Sequence, residues 1–198
     1  MQRRRILTEA AMELLGTDGA RGVSHSKVDK KAGVPDGTTS FYFRTRKALI
    51  LAIAAHLNDL DTADLALLTQ NSSEEFTGTA GCAAIVMYSA TQPGLTRTKA
   101  RYELVLQAGR DDEVAAALSQ SAESFYAMAR NAVTQWHVHN PPPDPDIVDA
   151  QAKTLLTFIN GVMMTFVAGQ PLVDNADQLD RLIQGVLAGW PPHSAPRT

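Results

Sequence analysis

The chain has 198 residues, of which 44% are apolar and 20% charged, a composition typical of a folded globular protein rather than a disordered or fibrous one. Its charge is uneven: residues 1–50 contain ten Lys and Arg against five Asp and Glu, whereas residues 51–198 contain eight against sixteen. A basic N-terminal part in a chain of net charge −3 indicates that this end binds phosphate.

Signals for export or membrane insertion are interrupted or too short. Acidic Glu9 and Glu13 break the apolar core that a secretory signal needs. The longest apolar stretch, residues 155–169, is shorter than the roughly 20 residues that span a bilayer. The lone Cys82 cannot form an intrachain disulfide, which favours a reducing compartment. We therefore expect a cytoplasmic protein with no membrane partner.

Apolar residues recur at intervals of three and four along almost the whole chain, which predicts an all-α fold of about nine helices. Gly33 is placed for a left-handed cap of the second helix, and Asp144 with Pro145 for the start of the eighth. The predicted helices cover residues 2–16, 24–32, two turns after residue 35, 45–68, 74–91, 95–108, 111–136, 145–168 and 176–190.

The first three helices have the plan of a helix-turn-helix unit, with a tight glycine-containing turn between the second and third. Such a unit inserts the N-terminal end of its last helix into the major groove of DNA, while flanking groups bind phosphates. This plan predicts a DNA-binding domain over residues 1–47, followed by a larger helical domain over 48–190 and a loose tail over 191–198.

Side-chain chemistry within the unit suggests which residues contact DNA. Gly37 allows the backbone to approach DNA closely, Thr38 can bind a phosphate or a base edge, and Phe43 is expected to be buried. Ser40 and Tyr42 are placed on exposed faces. The cations placed for phosphates are Lys27, Lys30, Lys31 and Arg46.

Structural alternatives exist for several of these residues. Lys30 and Lys31 could form a merely solvated face, and residues 3–5, all arginine, could be a solvated terminus rather than an arm that touches phosphates. Asp36 could cap the third helix without touching a base.

The segment is similar to the DNA-binding domain of the tetracycline-repressor (TetR) family. The matching residues are Ala32-Gly33-Val34, Gly37-Thr38, Tyr42-Phe43 and Arg46-Lys47-Ala48-Leu49, with the approach from Gly19 to Val23. The resemblance covers about the first 50 residues closely and implies a set of DNA-contacting residues. Together with the N-terminal arginines, the candidates are Arg4, Arg5, Ser26, Lys27, Asp36, Gly37, Thr38, Ser40, Tyr42 and Arg46.

Three positions depart from the common pattern of that family. Ser40 stands where a tyrosine is usual, which removes a phosphate contact. Pro35 stands where a capping serine is usual, which we expect to shift capping to Asp36. Asp29 stands where a small alanine usually packs.

The last two predicted helices offer more apolar surface than one side of a small domain needs, so we expect them to form a four-helix bundle with a second copy. The resemblance implies the same pairing, and the alternative is an ordinary intrachain core. The candidate interface residues are Leu155, Ile159, Val162, Met163, Phe166, Leu179, Leu182, Ile183 and Val186.

The resemblance also implies a ligand cavity in the larger domain. Polar or amphipathic residues near apolar helical faces are suited to a small-molecule site. The candidates are Tyr88, Arg101, Tyr102, Glu103, Trp136 and Asn160, each with a surface or core role as the alternative. His137 and His139 are two residues apart, on different sides of a helix, so we expect neither a shared metal nor any cofactor.

Common catalytic and nucleotide-binding motifs are absent from the sequence, so we do not expect an enzyme. Together these features favour a homodimeric, ligand-released repressor that binds a pseudo-palindromic double-stranded DNA operator. One alternative is an all-helical carrier or enzyme whose basic end is incidental. Another is a regulator that activates transcription or responds to a protein partner.

Overall fold

The computed structural model describes residues 2–70, 78–137 and 144–189, apart from the side chains of residues 67–70. Within these ranges all regular structure is helical, which confirms the predicted all-α fold. His139, the tail over 191–198 and the predicted start of the fifth helix lie outside the described residues. The nine α-helices described are α1 (Gln2–Asp18), α2 (His25–Ala32), α3 (Thr38–Tyr42), α4 (Arg46–Gln70), α5 (Gly78–Tyr88), α6 (Gly94–Ala108), α7 (Asp112–Trp136), α8 (Pro145–Val167) and α9 (Ala176–Ala188), with one 3₁₀ turn at Ala20–Gly22.

Two predicted helix ends are confirmed, and one helix is shorter than predicted. Gly33 ends α2 in the left-handed conformation, with φ 64°. Asp144 caps α8 by accepting a hydrogen bond from the Asp146 amide at 3.0 Å. Helix α3 has 5 residues rather than two turns, because Gly37 precedes it with φ 87° and Phe43 is already extended.

The first compact unit comprises residues 1–66 and 91–123, and contains α1 to α3, most of α4, α6 and the first part of α7. Gly16 of α1 lies where a Cβ atom would overlap the carbonyl oxygen of Thr96 on α6, so glycine permits the close packing of these two helices. Phe43 is buried as predicted. The largest fully buried side chains of this unit are Leu7, Leu15, Val28, Phe43, Leu49, Ile53, Leu57 and Leu104.

The second compact unit comprises residues 67–90 and 124–198, and its described part contains α5, the later part of α7, α8 and α9. Helix α9 packs against α5 and α8. Buried Gln151 accepts a hydrogen bond from His137 Nε2 at 2.8 Å and donates one to the Leu187 carbonyl at 3.4 Å. The two units are defined by compactness, and the functional boundaries 1–47, 48–190 and 191–198 stay a prediction. Of the helices described, none is long and apolar enough to cross a membrane.

Candidate nucleic-acid interface

The N-terminal end of α3 is held by a carboxylate from α2. Asp29 is 1% exposed, and its two oxygens accept three hydrogen bonds. The donors are the Gly37 amide at 2.8 Å, the Thr39 amide at 2.7 Å and the Thr39 hydroxyl at 2.5 Å. These amides belong to the first turn of α3, where helix geometry leaves N–H groups without intrahelical partners. A charge-assisted contact therefore joins α2 to α3.

The environment of Asp29 keeps it ionised. Burial raises the pKa of its carboxyl, but the hydrogen bonds from Thr39 and Gly37 and the electrostatic effect of the nearby His25 outweigh burial, so the net pKa lies below its usual range. Because folding lowers this pKa, the carboxylate contributes stability above its unfolded pKa, and that contribution is lost as the pH falls through the folded pKa.

The predicted shift of capping to Asp36 is wrong. Gly37 occupies the N-cap position without a side-chain cap, and the acceptor for the α3 amides is Asp29. Asp36 is exposed and makes no hydrogen bond or ion pair with any residue that the structure describes. The sequence could not show this, because Asp29 lies 8 to 10 residues before the amides it binds. Contact of Asp36 with DNA stays a prediction.

The C-terminal end of α3 is held by a second residue of α2 that the sequence analysis missed. His25 Nε2 lies 2.6 Å from the carbonyl oxygen of Phe43, the residue that ends α3. Because a carbonyl can only accept, we assign the shared proton to Nε2. His25 and Asp29 are four residues apart and so lie on one face of α2.

Most of the predicted DNA contacts on α2 and α3 are accessible. Thr38 is half-buried, and its hydroxyl donates to the Pro35 carbonyl at 2.6 Å, so only its acceptor capacity remains for DNA. The side chains of Lys27, Lys30 and Arg44 make no hydrogen bond or ion pair within the described ranges. The predicted contacts that are exposed are Ser26, Lys27, Asp36, Gly37, Ser40 and Tyr42.

Phe41 is an exposed aromatic residue of α3 that the sequence analysis passed over. It is 79% exposed, and its ring meets the Tyr42 ring edge to face at 5.2 Å between centroids. The signal was in the helical spacing: Thr39 and Phe43, four apart, are both buried, so a residue midway between them faces the opposite side. A large apolar side chain is therefore presented on the face of α3 that is turned away from the core.

Several of the predicted phosphate ligands already have partners in the protein. Arg46 donates from Nη2 to the Ala20 carbonyl at 2.6 Å and from Nε to the Val23 carbonyl at 3.3 Å. Lys31 pairs with Glu13 at 2.7 Å, which favours the structural alternative for that lysine. For Arg46, contact with a phosphate through its remaining nitrogen stays a prediction.

The N-terminal arginines are exposed, and one of them also packs on the core of the unit. The Arg4 guanidinium lies 4.6 Å from the centroid of the Phe43 ring, a cation–π contact, while Arg5 is exposed on the same helix. Lys47, next to Arg46, binds Glu113 at 2.7 Å and Asp111 at 3.1 Å, so it ties the start of α4 to the start of α7. DNA contact by Arg4 and Arg5 stays a prediction.

The six candidate ligand residues are divided between the two units, three in each. In the first unit, Glu103 accepts a hydrogen bond from the Ala20 amide at 3.1 Å, and Arg101 binds buried Asp61. Tyr102 is half-buried, and burial raises the pKa of its hydroxyl. In the second unit, Tyr88 and Asn160 are exposed and Trp136 is half-buried. Their role as a ligand site stays a prediction.

Arg101 belongs to a buried polar network in the first unit that the sequence analysis did not anticipate. Asp61 of α4 accepts from Arg101 of α6 and from the Ser121 hydroxyl of α7 at 3.0 Å. Asn58 of α4 is bound by the same hydroxyl and donates to the Ala117 carbonyl at 2.6 Å. Three helices are thus joined by hydrogen bonds inside the apolar core.

The candidate dimer residues are partly used within one chain. Six of them have side chains that are already buried within the single chain, and these are Leu155, Ile159, Val162, Phe166, Leu179 and Ile183. Met163 and Val186 are half-buried, and Leu182 is 44% exposed. Met164 of α8, which was not predicted, is exposed to a similar degree. These four accessible side chains are available to a second copy, and the dimer interface stays a prediction.

A short helix held at both ends, exposing hydroxyls and aromatics beside free cations, defines a helix-turn-helix protein of the DNA-binding class. Residues 7–53 match the family described as bacterial regulatory proteins, tetR family, and residues 76–189 match the tetracyclin repressor-like C-terminal domain. The chain belongs to the TetR family of transcriptional regulators. Family members are regulators rather than enzymes, which disfavours the carrier or enzyme alternative.

Solved structures support the fold. A TetR-family member from Streptomyces coelicolor is 22% identical, with a TM-score of 0.70 over 94% of this chain and 98% of that one. A transcriptional regulator from Saccharomonospora viridis in complex with choline is 13% identical, with a TM-score of 0.77 over 96% and 97%. The multidrug binding protein EbrR in complex with ethidium is 19% identical, with a TM-score of 0.65 over 93% and 98%. None of the curated proteins compared with the sequence matches it.

Proposed function

We propose that the protein is a ligand-released repressor that binds a pseudo-palindromic operator as a homodimer in the cytoplasm. The observation that carries the DNA-binding part is the outward face of α3, where Ser40, Phe41 and Tyr42 are exposed together. In this proposal α3 enters the major groove, and Lys27 and Arg44 beside it neutralise phosphates.

The small size of the recognition element supports dimerisation. A helix of 5 residues reads only a few base pairs, whereas two such helices about 34 to 36 Å apart read successive faces of the major groove. Met164 of α8 and Leu182 of α9 are the exposed apolar side chains offered to the second copy. Helices α8 and α9 pack against each other within one unit, so both can contribute to one interface.

Release by a small molecule is supported by proteins of the same fold. EbrR is described in complex with ethidium and proflavin, and the regulator from S. viridis in complex with choline. For this protein we propose an effector that favours an arrangement in which the two recognition helices no longer match the half-site spacing. Linkage then requires that DNA weaken effector binding by the same factor.

Selection of bound duplexes from a random pool tests the proposed function. We expect the enriched duplex to be palindromic, with half-sites centred about one helical turn, or a small multiple of it, apart. The absence of any enriched duplex would contradict DNA recognition, and an enriched duplex without two-fold sequence symmetry would contradict the dimer.

The salt dependence of operator binding should identify the phosphate ligands. Each phosphate neutralised contributes about 0.9 to the slope of log K against log salt, so Lys27→Ala should reduce the slope by about 0.9 per subunit. Lys31→Ala removes the same charge from the same helix, but Lys31 is paired with Glu13, so we expect its slope to match the wild type. Titrations at several salt concentrations measure both, and equal slopes for the two variants would remove Lys27 from the interface.

Phe41 should read thymine through its 5-methyl group, since an exposed apolar ring in the major groove finds few other apolar partners. Replacing the contacted thymine by deoxyuracil removes one methyl group, which should weaken wild-type binding about fourfold per half-site. Phe41→Ala should bind the two duplexes equally, whereas Tyr42→Ala, the control, should still discriminate. A wild type that tolerates deoxyuracil at every thymine of the operator would contradict this role.

A further inference from the structure

We propose that Asp29 and His25 are positioning residues that orient α3 for reading DNA, an inference that rests on the proposed function. Helix α3 has 5 residues, too few to be stable alone, since isolated helices shorter than about 12 residues are marginal in water. Its N-cap, Gly37, brings no side chain to satisfy the first amides. The orientation of α3 therefore depends on contacts from outside the helix.

Those contacts come from a single face of α2. Asp29 binds the Gly37 and Thr39 amides at the start of α3, and His25 binds the Phe43 carbonyl at its end. The Asp29 carboxylate, an acceptor, lies at the N-terminal end of α3, where amides lack intrahelical partners. The His25 ring, a donor, lies at the C-terminal end, where carbonyls lack them. Because both contacts come from one rigid turn of α2, they fix α3 in position along its axis and in rotation about it.

The contact between Asp29 and α3 also accounts for two of the three positions at which the sequence departs from the common pattern of the TetR family. The side chain of Pro35 has no oxygen that could accept a hydrogen bond from the first amides of the helix that follows, so the usual capping by a serine side chain is missing. Asp29 provides the missing acceptor from the neighbouring helix. The cap thus becomes an interhelical contact, and the geometry of the DNA-reading surface becomes dependent on α2.

A positioning role differs from general stabilisation in what it changes. If α3 tilts while the domain stays folded, base-edge contacts are lost, whereas phosphate contacts from other elements persist. Binding to the selected operator should weaken, and binding to non-specific duplex and the salt slope should not. General destabilisation would instead reduce both kinds of binding together.

The primary variant is Asp29→Asn, which keeps the shape but replaces one acceptor oxygen by an amide group facing an N–H donor. We expect operator affinity to fall about tenfold because the charge-assisted hydrogen bond from the Gly37 amide is lost and the two from Thr39 are weakened. Affinity for a scrambled duplex should stay within about twofold, and the salt slope should be unchanged because no phosphate ligand is removed. Fluorescence anisotropy with both duplexes measures these quantities.

Further variants separate positioning from unfolding. Thr39→Val removes the hydroxyl donor to Asp29 with little change of shape and should lower the ratio of specific to non-specific affinity, while Thr39→Ser should restore it. Asp18→Asn is the matched control, since it makes the same chemical change at an exposed carboxylate of α1 that is not a predicted DNA contact and makes no hydrogen bond or ion pair within the described ranges, and it should not weaken operator binding.

The experiments distinguish failure of the positioning role from failure of the proposed function. If the wild type enriches no duplex, the proposed function and the inference both fail. If the wild type binds its operator and Asp29→Asn binds it within about twofold, or loses specific and non-specific binding equally, the inference alone fails.

Discussion

Leu182→Glu should convert the dimer into monomers and weaken operator binding by about 100-fold or more, because a monomer loses the effective concentration that links two half-sites. Leu182 is 44% exposed on α9, so glutamate is accommodated in the isolated chain without disturbing the core. In the proposed interface two such carboxylates would be buried without partners, at a cost of several kcal/mol each. Sedimentation velocity and operator titration measure the two effects.

A matched control is available in the other unit. Leu106 of α6 is exposed to an even greater degree, so Leu106→Glu makes the same substitution on a helix that is not a candidate for the interface. We expect this variant to remain dimeric and to bind the operator normally. A Leu182→Glu protein that sediments as a dimer, or a wild type that is monomeric at micromolar concentration, would contradict the interface.

Arg101→Met should strongly destabilise the protein. It removes the cation that pairs directly with the buried Asp61 carboxylate, and breaking a buried pair in this way costs about 3 to 5 kcal/mol. The side chains of Arg101 and Asp61 are 18% and 8% exposed, so solvent screens the pair weakly. The midpoint of denaturant unfolding measures the loss.

Arg97→Met is the matched control, one helical turn earlier on α6. Its partner is Asp64, at 3.4 Å, and the two side chains are 22% and 41% exposed. A pair that is open to solvent contributes about 0 to 1 kcal/mol, so we expect a small shift. If the two substitutions reduced stability equally, burial of the Arg101–Asp61 pair would not increase its contribution to stability.

The destabilisation by Arg101→Met should also depend on pH. Burial raises the pKa of Asp61 above its usual value, and Arg101 and the Ser121 hydroxyl oppose that rise. Without Arg101 the folded-state pKa rises further, so the folded state binds a proton more tightly than the unfolded state. Stability then increases as the pH falls through the folded pKa, and the deficit of the variant should shrink in mildly acidic solution.

Sequence patterns predicted the features that depend on near neighbours. Helical spacing indicated the all-α fold, Gly33 and Asp144 marked helix ends, and Phe43 was correctly assigned to the core. These succeeded because helical period and cap chemistry act over a few residues. The candidate interface stays a prediction, because apolar spacing shows which face of α8 or α9 is buried, but not whether its own chain or a second copy covers it.

The sequence by itself determined the helices, the helix-turn-helix plan and the basic character of the N-terminal part, since each is encoded in consecutive residues. Only the tertiary structure decided how charged groups are used: Asp29 rather than Asp36 caps α3, Lys47 binds Glu113 at a separation of 66 residues, and Arg101 binds Asp61 at a separation of 40. The physical reason is that a charged side chain takes its role from the partner within reach. Which partner lies within reach is settled when helices distant in sequence pack together.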